Sequence, residues 1–457
     1  MSKRLLCLIS GLLAALLLFA PVASAQGEFS FCPAFFAFAD RYDAGESVSL
    51  ALSGHVNKLL PFEAEELAVV NSALDGASLT LTAARDLSGA FALSRGGLPV
   101  FSFAYRDDLV AVNDEILLLG PVGQEQLIPR QQADLWDCLK AIHASLPQME
   151  QAVSLLAPVK AVSGTVISNI GSMREGRAYT LSAEAAQLFL TGMSALLPEA
   201  SGMDAVKEAI ALCSASGEIT LTFYSDAHGD TVCCEGTGPI LIRETDHTFR
   251  FLIAMNDTGI NCSFTASAVA GKGLYRVGVK AKVSEASSSQ KDLSGSMEWT
   301  VRTDEGKYSL TGEAVLSSRA RAEGDTLTGR ITWTETDGGT ERVYTLRPDL
   351  LFSSDQGAGT LSLTQKKGDT TLFSMDLNAV LTMSQPVLQD AQTPNRVDAY
   401  ASERIEDALL KAFAGQMAAL DQQDMYLLTH ALRSDAWMES TTDLQKVYSI
   451  FDFQVEE

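Results

Sequence analysis

The sequence predicts an α+β protein. Its main body is a long antiparallel β-meander, a curved sheet or half-barrel of about eleven strands packed against helices. A smaller N-terminal strand–helix–meander unit precedes it. Three observations predict this. First, residues 293–299 (LSGSMEW), 310–316 (LTGEAVL) and 327–333 (LTGRITW) share one pattern, each beginning 17 residues after the last. That interval holds a strand of about ten residues and a tight turn, so neighbouring strands run antiparallel. Second, Phe373, Met375, Leu377, Ala379, Leu381 and Met383 alternate with Ser374, Asp376, Asn378 and Thr382, which is the period of a half-buried strand. Third, the intervening turns are rich in Asp and Gly, at 304–306, 323–325, 337–339 and 368–369. These residue types tolerate the positive φ that hairpins require.

The elements follow in order. Residues 1–25 read as a secretory leader: Lys3 and Arg4, an apolar run from Leu5 to Ala20, Pro21, and the small-x-small site Ala23-Ser24-Ala25. Cleavage after Ala25 would place the protein in the secreted or extracytoplasmic space of a bacterium, with no transmembrane segment left behind. Residues 28–45 carry Phe29, Phe31, Phe35, Phe36 and Phe38 and read as a docking arm or flexible leader. A strand over 47–53 and a helix from Pro61 to Leu74 follow, the helix stopped by Asp75 and Gly76. Strands are expected near 79–81, 90–93, 100–105 and 115–119. Residues 124–158 carry a helical pattern, broken at Leu146-Pro147. A strand near Tyr179 precedes two helices, one with Leu188, Leu190, Met193 and Leu197, the other opening at Ser201–Asp204. The eleven strands are expected near 219–223, 231–234, 249–255, 262–268, 275–283, 293–302, 308–316, 327–334, 342–346, 359–363 and 373–383. Helices are expected again over 402–433. The resulting divisions are 1–25, 26–123, 124–158 (connector), 159–389 (large sheet) and 390–457 (linker and closing helices).

Two internal echoes stand out. Residues 79–89 (LTLTAARDLSG) resemble 219–229 (ITLTFYSDAHG), each just after a helix, which hints at a repeated unit. Glycine also recurs on the inward face at Gly295, Gly312 and Gly329, which favours coiling of the strands.

The chain has 34 Lys and Arg against 57 Asp and Glu, a formal charge of −23. Losing the leader removes two positive charges and no acid. Such a surface repels nucleic acid, and none is expected as a partner. Six cysteines follow the leader: Cys32, Cys138, Cys213, Cys233, Cys234 and Cys262. Six permit 15 disulfide pairings, which sequence does not decide. Cys234 and Cys262 alternate in phase with apolar neighbours, as buried thiols do.

Catalytic and metal motifs are thin. No HExxH, GxSxG or phosphate-cradling loop occurs. The best metal-type cluster is Asp226, His228, Asp230, Cys233, Cys234 and His247, on one hairpin and its exit. Adjacent cysteines point to opposite faces of a strand, which works against a shared metal. No catalytic set, metal or cofactor is therefore assigned, and the protein reads as a non-enzyme.

The order of leading helices, curved meander and closing helices over residues 177–385 resembles the bacterial exported lipoprotein-carrier half-barrels of the LolA/LolB and LppX-like type. The resemblance is one of topology. It implies an apolar or lipid-like ligand, or a cell-envelope protein partner, on the concave face bearing Phe249, Phe251, Met297, Trp299, Ile331, Trp333, Phe373 and Met375. Two alternatives are an interaction scaffold without a small ligand and a hydrolase whose site no short motif reveals.

Overall fold

The structure, a computed structural model, describes residues 31–35, 41–42, 45–60, 62–84, 88–106, 109–112, 115–119, 141–197, 207–208, 210–242, 245–256, 258–271, 273–303, 306–337, 339–353, 355–384 and 396–398. The predicted leader, the start of the 124–158 connector and the helices predicted over 402–433 lie outside the described residues.

Strand β1 (Ser47–Leu59) leads into helix α1 (Ala64–Leu74). Strands β2 (Ala77–Ala83), β3 (Gly89–Arg95), β4 (Leu98–Arg106), β5 (Leu109–Val112) and β6 (Glu115–Leu119) follow. Helix α2 (Leu146–Ser154) precedes β7 (Val159–Ser163) and a small hairpin, β8 (Val166–Ile167) with β9 (Gly171–Ser172). Next come β10 (Glu175–Leu181), helix α3 (Ala183–Leu196) and β11 (Cys213–Ala215). Eleven successive strands then run through the chain. They are β12 (Ile219–Ser225), β13 (Thr231–Ile242), β14 (Thr245–Asn256), β15 (Gly259–Ala268), β16 (Leu274–Ser287) and β17 (Gln290–Thr303), continuing with β18 (Gly306–Arg321), β19 (Gly324–Asp337), β20 (Thr340–Phe352), β21 (Gln356–Lys367) and β22 (Thr370–Ser384). The last described strand is β23 (Arg396–Asp398).

All eleven expected strands are present, and most run several residues further than their alternation indicates. The chain is mostly β with few helices. Its strands join in one open sheet, with β8 and β9 apart. The run β12 to β22 is antiparallel and sequential. Beyond β12 lie β10 and β7. Beyond β22 the sheet continues into β1, then β2 to β6 in sequence. Strand β23 adds in parallel to β6, the one parallel pair among the described strands. The pairing of β1 with β22 thus joins the N-terminal strands and the long meander in a single sheet.

Both echoed segments open on a strand that pairs back on the strand preceding a helix. β2 pairs β1 antiparallel across α1, and β12 pairs β10 antiparallel across a longer insertion that holds α3 and β11. In the first, β2 covers only Val48–Leu52 of β1. Beyond that point α1 takes over. Asn71 accepts from the Val56 N–H (2.8 Å) and donates to the Val56 carbonyl (2.9 Å), replacing a strand partner with one amide side chain. Gly76, at φ +68°, ends the helix as the sequence predicts.

The connector is interrupted where expected: residues 141–144 are helical, Ser145 is a turn, and α2 opens at Leu146 with Pro147 in its first turn, where a missing N–H costs nothing. One helix reading needs correction: on α3, Leu188 faces solvent, and Ala186 and Phe189, with Leu197 just past the helix end, are the buried positions. Strands β5, β7, β8, β9, β11 and β23 were not expected; they are short, and their residues do not alternate over a usable length.

Cross-strand partners share a face, so the register carries one apolar face across the meander. Leu346 pairs Ile331, Ile331 pairs Ala314, Ala314 pairs Gly295, Gly295 pairs Ala281 and Ala281 pairs Ile260. All but Gly295 are buried and belong to one core. Into this core drops the N-terminal segment: Phe31 and Cys32 are buried, Phe35 meets Phe352 edge-on at 5.2 Å, and the Ala34 N–H donates to Asp325 at 2.8 Å. A second core lies where α2 and α3 cover β10 to β14. There Leu146, Met149 and Val153 of α2 are buried, each contributing about 2 kcal/mol. On the other face, the β8–β9 hairpin packs Ile167, Ile170 and Met173 on Tyr224, Cys233 and Ala254.

Two inward glycines behave differently. Gly312 lies between Met297 and Trp333, and an added Cβ would meet the Met297 Cγ at 2.8 Å. Gly329 has φ +144°, and an added Cβ would stand 2.2 Å from the Val315 carbonyl oxygen. Beside it the β19–β20 register passes from Thr328–Asp349 to Ile331–Leu346 with no paired residues between, opposite Pro348, which has no N–H to give.

Candidate functional site

The candidate site lies on the apolar face of the sheet. Strands β14 to β18 place Phe251, Phe264, Val277, Trp299 and Leu310 in one cross-strand row. The next row along the strands is Phe249, Ala266, Tyr275, Val301 and Tyr308. On its other side run Cys262, Val279, Met297, Gly312 and Trp333. Cross-strand neighbours lie about 5 Å apart and i, i+2 neighbours about 7 Å, so these rows form a continuous apolar surface.

Burial varies sharply over that surface. At one end it is sealed by residues 31–35, and at the β10–β13 side by α2 and α3. Between them it opens. Trp299 is 51% exposed, and Phe264, Tyr275 and Tyr308 are also exposed. An aromatic group held open on a face that is otherwise core is the informative departure, since scattered surface apolar residues mean little.

The eight residues picked from sequence share this face but not one pocket. Phe249 and Ile331 are buried, Trp299 is exposed, and Phe251, Met297, Trp333, Phe373 and Met375 are half-buried. Phe249 and Phe251 stack at 6.0 Å and 7° beneath the helices. Trp333 stacks on Tyr344 at 5.2 Å and 8°. Phe373 and Met375 pair with Leu59 and Val56 of β1, eight strands from β14 and so about 38 Å away along the sheet. Sequence reasoning missed Phe264, Tyr275, Val277, Tyr308 and Leu310. Each falls on an expected strand, but none of those strands carries a chosen residue, so only the cross-strand register places them on this face.

No family model and no curated protein matches this chain. Among solved structures, one described as "Asymmetric conductivity of engineered proteins" is similar at 8% identity, covering 74% of this chain and 99% of that chain, with a TM-score of 0.23. A likeness at that level carries no argument. No helix among the described residues is long and apolar enough to cross a membrane.

Helix α2 is pinned to the sheet electrostatically. Glu150 of α2 accepts from Arg177 Nε, from Arg177 Nη2 (2.9 Å), from Thr231 Oγ1 (2.9 Å) and from the Tyr179 hydroxyl (3.2 Å). Burial pushes the Glu150 carboxyl up, but these donors and the Arg177 charge outweigh it and hold the carboxyl below its usual range. His143, buried beneath the Val232 carbonyl at 3.1 Å, is pushed down by burial and stays neutral at physiological pH.

The metal-type cluster of the sequence comes apart in space. Asp226 Oδ1 accepts from the His228 and Asp230 N–H groups (2.8 and 3.0 Å), an Asx turn. Cys234 lies in the core under the helices and Cys233 in the core under the β8–β9 hairpin, on opposite faces. His247 is buried against the Thr245 carbonyl and Tyr275. The five described cysteines are free thiols. Burial pushes Cys32 up to about 11, and Cys233 and Cys262 up to about 12.

Proposed function

We propose that this is an exported protein that takes an apolar, lipid-like ligand on the open stretch of its sheet face. The single observation that carries the reading is Trp299, 51% exposed in the middle of a row running from Phe251 to Leu310. An acyl chain laid along this row would cover apolar surface that water now meets, and each added CH₂ would contribute about 0.8 kcal/mol. The leader of residues 1–25 supports an extracytoplasmic setting, where such a ligand is handled apart from cytoplasmic carriers. A bend of the sheet at Gly329, read as half-barrel curvature, would turn the open face into the concave wall expected of a lipoprotein-carrier-like protein. A cell-envelope protein presenting its own apolar strand is the alternative occupant of the same surface.

The test is direct. Protein purified from its native host is extracted and analysed by mass spectrometry, and the delipidated protein is titrated with brominated fatty acid while tryptophan emission is followed. Co-purifying lipid and saturable quenching that disappears in Trp299→Phe are expected. Quenching unchanged in Trp299→Phe, or no binding of the fatty acid at all, would sink the lipid reading in favour of a protein partner.

A further inference from the structure

We infer that a second site, on the opposite face of the sheet, binds a neutral saccharide in the open groove between α1 and strands β1, β21 and β22. The groove has a volume of ≈ 790 Å³, within the range of small-ligand clefts. Its floor is set by register. Ser53, Asn378 and Thr360 lie side by side across three strands, and His55 and Asp376 lie side by side in the next row. The wall is α1, which contributes Ala68, Ser72 and, just past its end, Asp75. Steps of about 5 Å across strands and about 7 Å along them match the spread of hydroxyls over one or two sugar rings.

The chemistry of the lining selects the ligand class. Hydroxyl, amide, imidazole and carboxylate groups line the groove, with no Lys or Arg among them. The side chains of Ser53, Thr360 and Asn378 form no hydrogen bond with any described group, so donors and acceptors stand ready for a guest. Asp376 accepts from Ser362 (2.5 Å) and from Asn57 (2.8 Å). Those two bonds, with a smaller contribution from the neighbouring His55 charge, hold its carboxyl below the usual range. Two carboxylates, Asp75 and Asp376, against the single imidazole of His55 disfavour phosphate and carboxylate ligands. A metal fits poorly too, because no group of three or more His, Cys, Asp or Glu side chains among the described residues is placed to hold one. A carboxylate still has lone pairs free for sugar hydroxyls after two bonds, and an amide offers both donor and acceptor to a vicinal diol.

Saturation-transfer NMR on the intact protein tests this, with maltose, cellobiose and chitobiose as probes at millimolar concentration and glucose 6-phosphate as the anionic comparison. Transfer to at least one neutral disaccharide is expected, with little to the phosphate sugar. Ala68→Trp, at an exposed position of α1, fills the groove without touching a core and should abolish the signal. Asn378→Ala should weaken binding about tenfold, the worth of one hydrogen bond to a sugar. Three outcomes would overturn the inference: no transfer to any of the three neutral sugars, transfer unchanged in Ala68→Trp, or binding of glucose 6-phosphate as strong as that of the disaccharides. Trp299 lies on the other face, so Trp299→Phe should leave this signal intact and keep the two sites distinguishable.

Discussion

Replacing Gly329 by alanine should be among the most damaging single-methyl additions this protein can receive. Gly329 sits at φ +144°, and the new Cβ would stand 2.2 Å from the Val315 carbonyl oxygen and 2.8 Å from the Leu316 Cα. Both atoms are backbone of β18, which pairs with β17 on its other side, so neither can yield alone. A side chain at such a φ costs about 1–2 kcal/mol, and parting two packed strands to make room adds about 2 kcal/mol more, as overpacking does. The sum is about 3–4 kcal/mol, a large share of the 5–15 kcal/mol typical of a folded domain. Gly312→Ala is the internal control. Its neighbour is the Met297 side chain, which can move, so about 1 kcal/mol is expected. Urea unfolding followed by far-UV circular dichroism gives both numbers from the midpoint and slope. If the two variants differ by less than about 0.5 kcal/mol, where additivity itself becomes uncertain, the backbone-contact reasoning fails.

Two further outcomes follow from the titrating groups. The Glu150 carboxyl is depressed in the folded state, so its stabilisation is fully present above the unfolded value near 4.3 and is lost as pH falls through the folded value. Glu150→Gln should therefore cost about 2 kcal/mol at pH 7, less than a fully buried pair because Arg177 is a third exposed, and much less at pH 3; an equal loss at both pH values in urea titrations would refute the clamp. Cys32, Cys233 and Cys262 should resist an aromatic disulfide reagent at pH 8, being almost wholly protonated there and buried. Fast labelling of any of them before urea is added, located by peptide mass, would contradict their packing.

Much of the fold was legible in the chain because long strands with one buried face write their period into sequence. Phe373 to Met383 reads as a strand from alternation alone, and it is one. Strand β7, with three of its five residues exposed in a row, carries no such signature and was invisible. Leu188 was misread because periodicity marks an apolar stripe but not which flank of the stripe turns inward; Phe189, one position on, does. The shared face of the eight candidate residues was legible, since parity along a strand fixes it. Their differing burial was not. That depends on which helix or N-terminal segment lands on each part of the sheet, a long-range outcome: Ala34 reaches Asp325 across 291 residues.

The partnership of β1 with β22 gives the molecule a vulnerable seam. Ser384 touches the Ser47 carbonyl across 337 positions of chain, so an early-emerging ribbon waits for nearly the whole polypeptide before its second neighbour arrives. Such distant closure is slow. A product ending before residue 370 would leave β1, and whichever meander strand came last, each with a raw row of unmated amides and carbonyls. Two such molecules could zip together through those rows, so the specific hazard this protein carries is its own prematurely terminated forms.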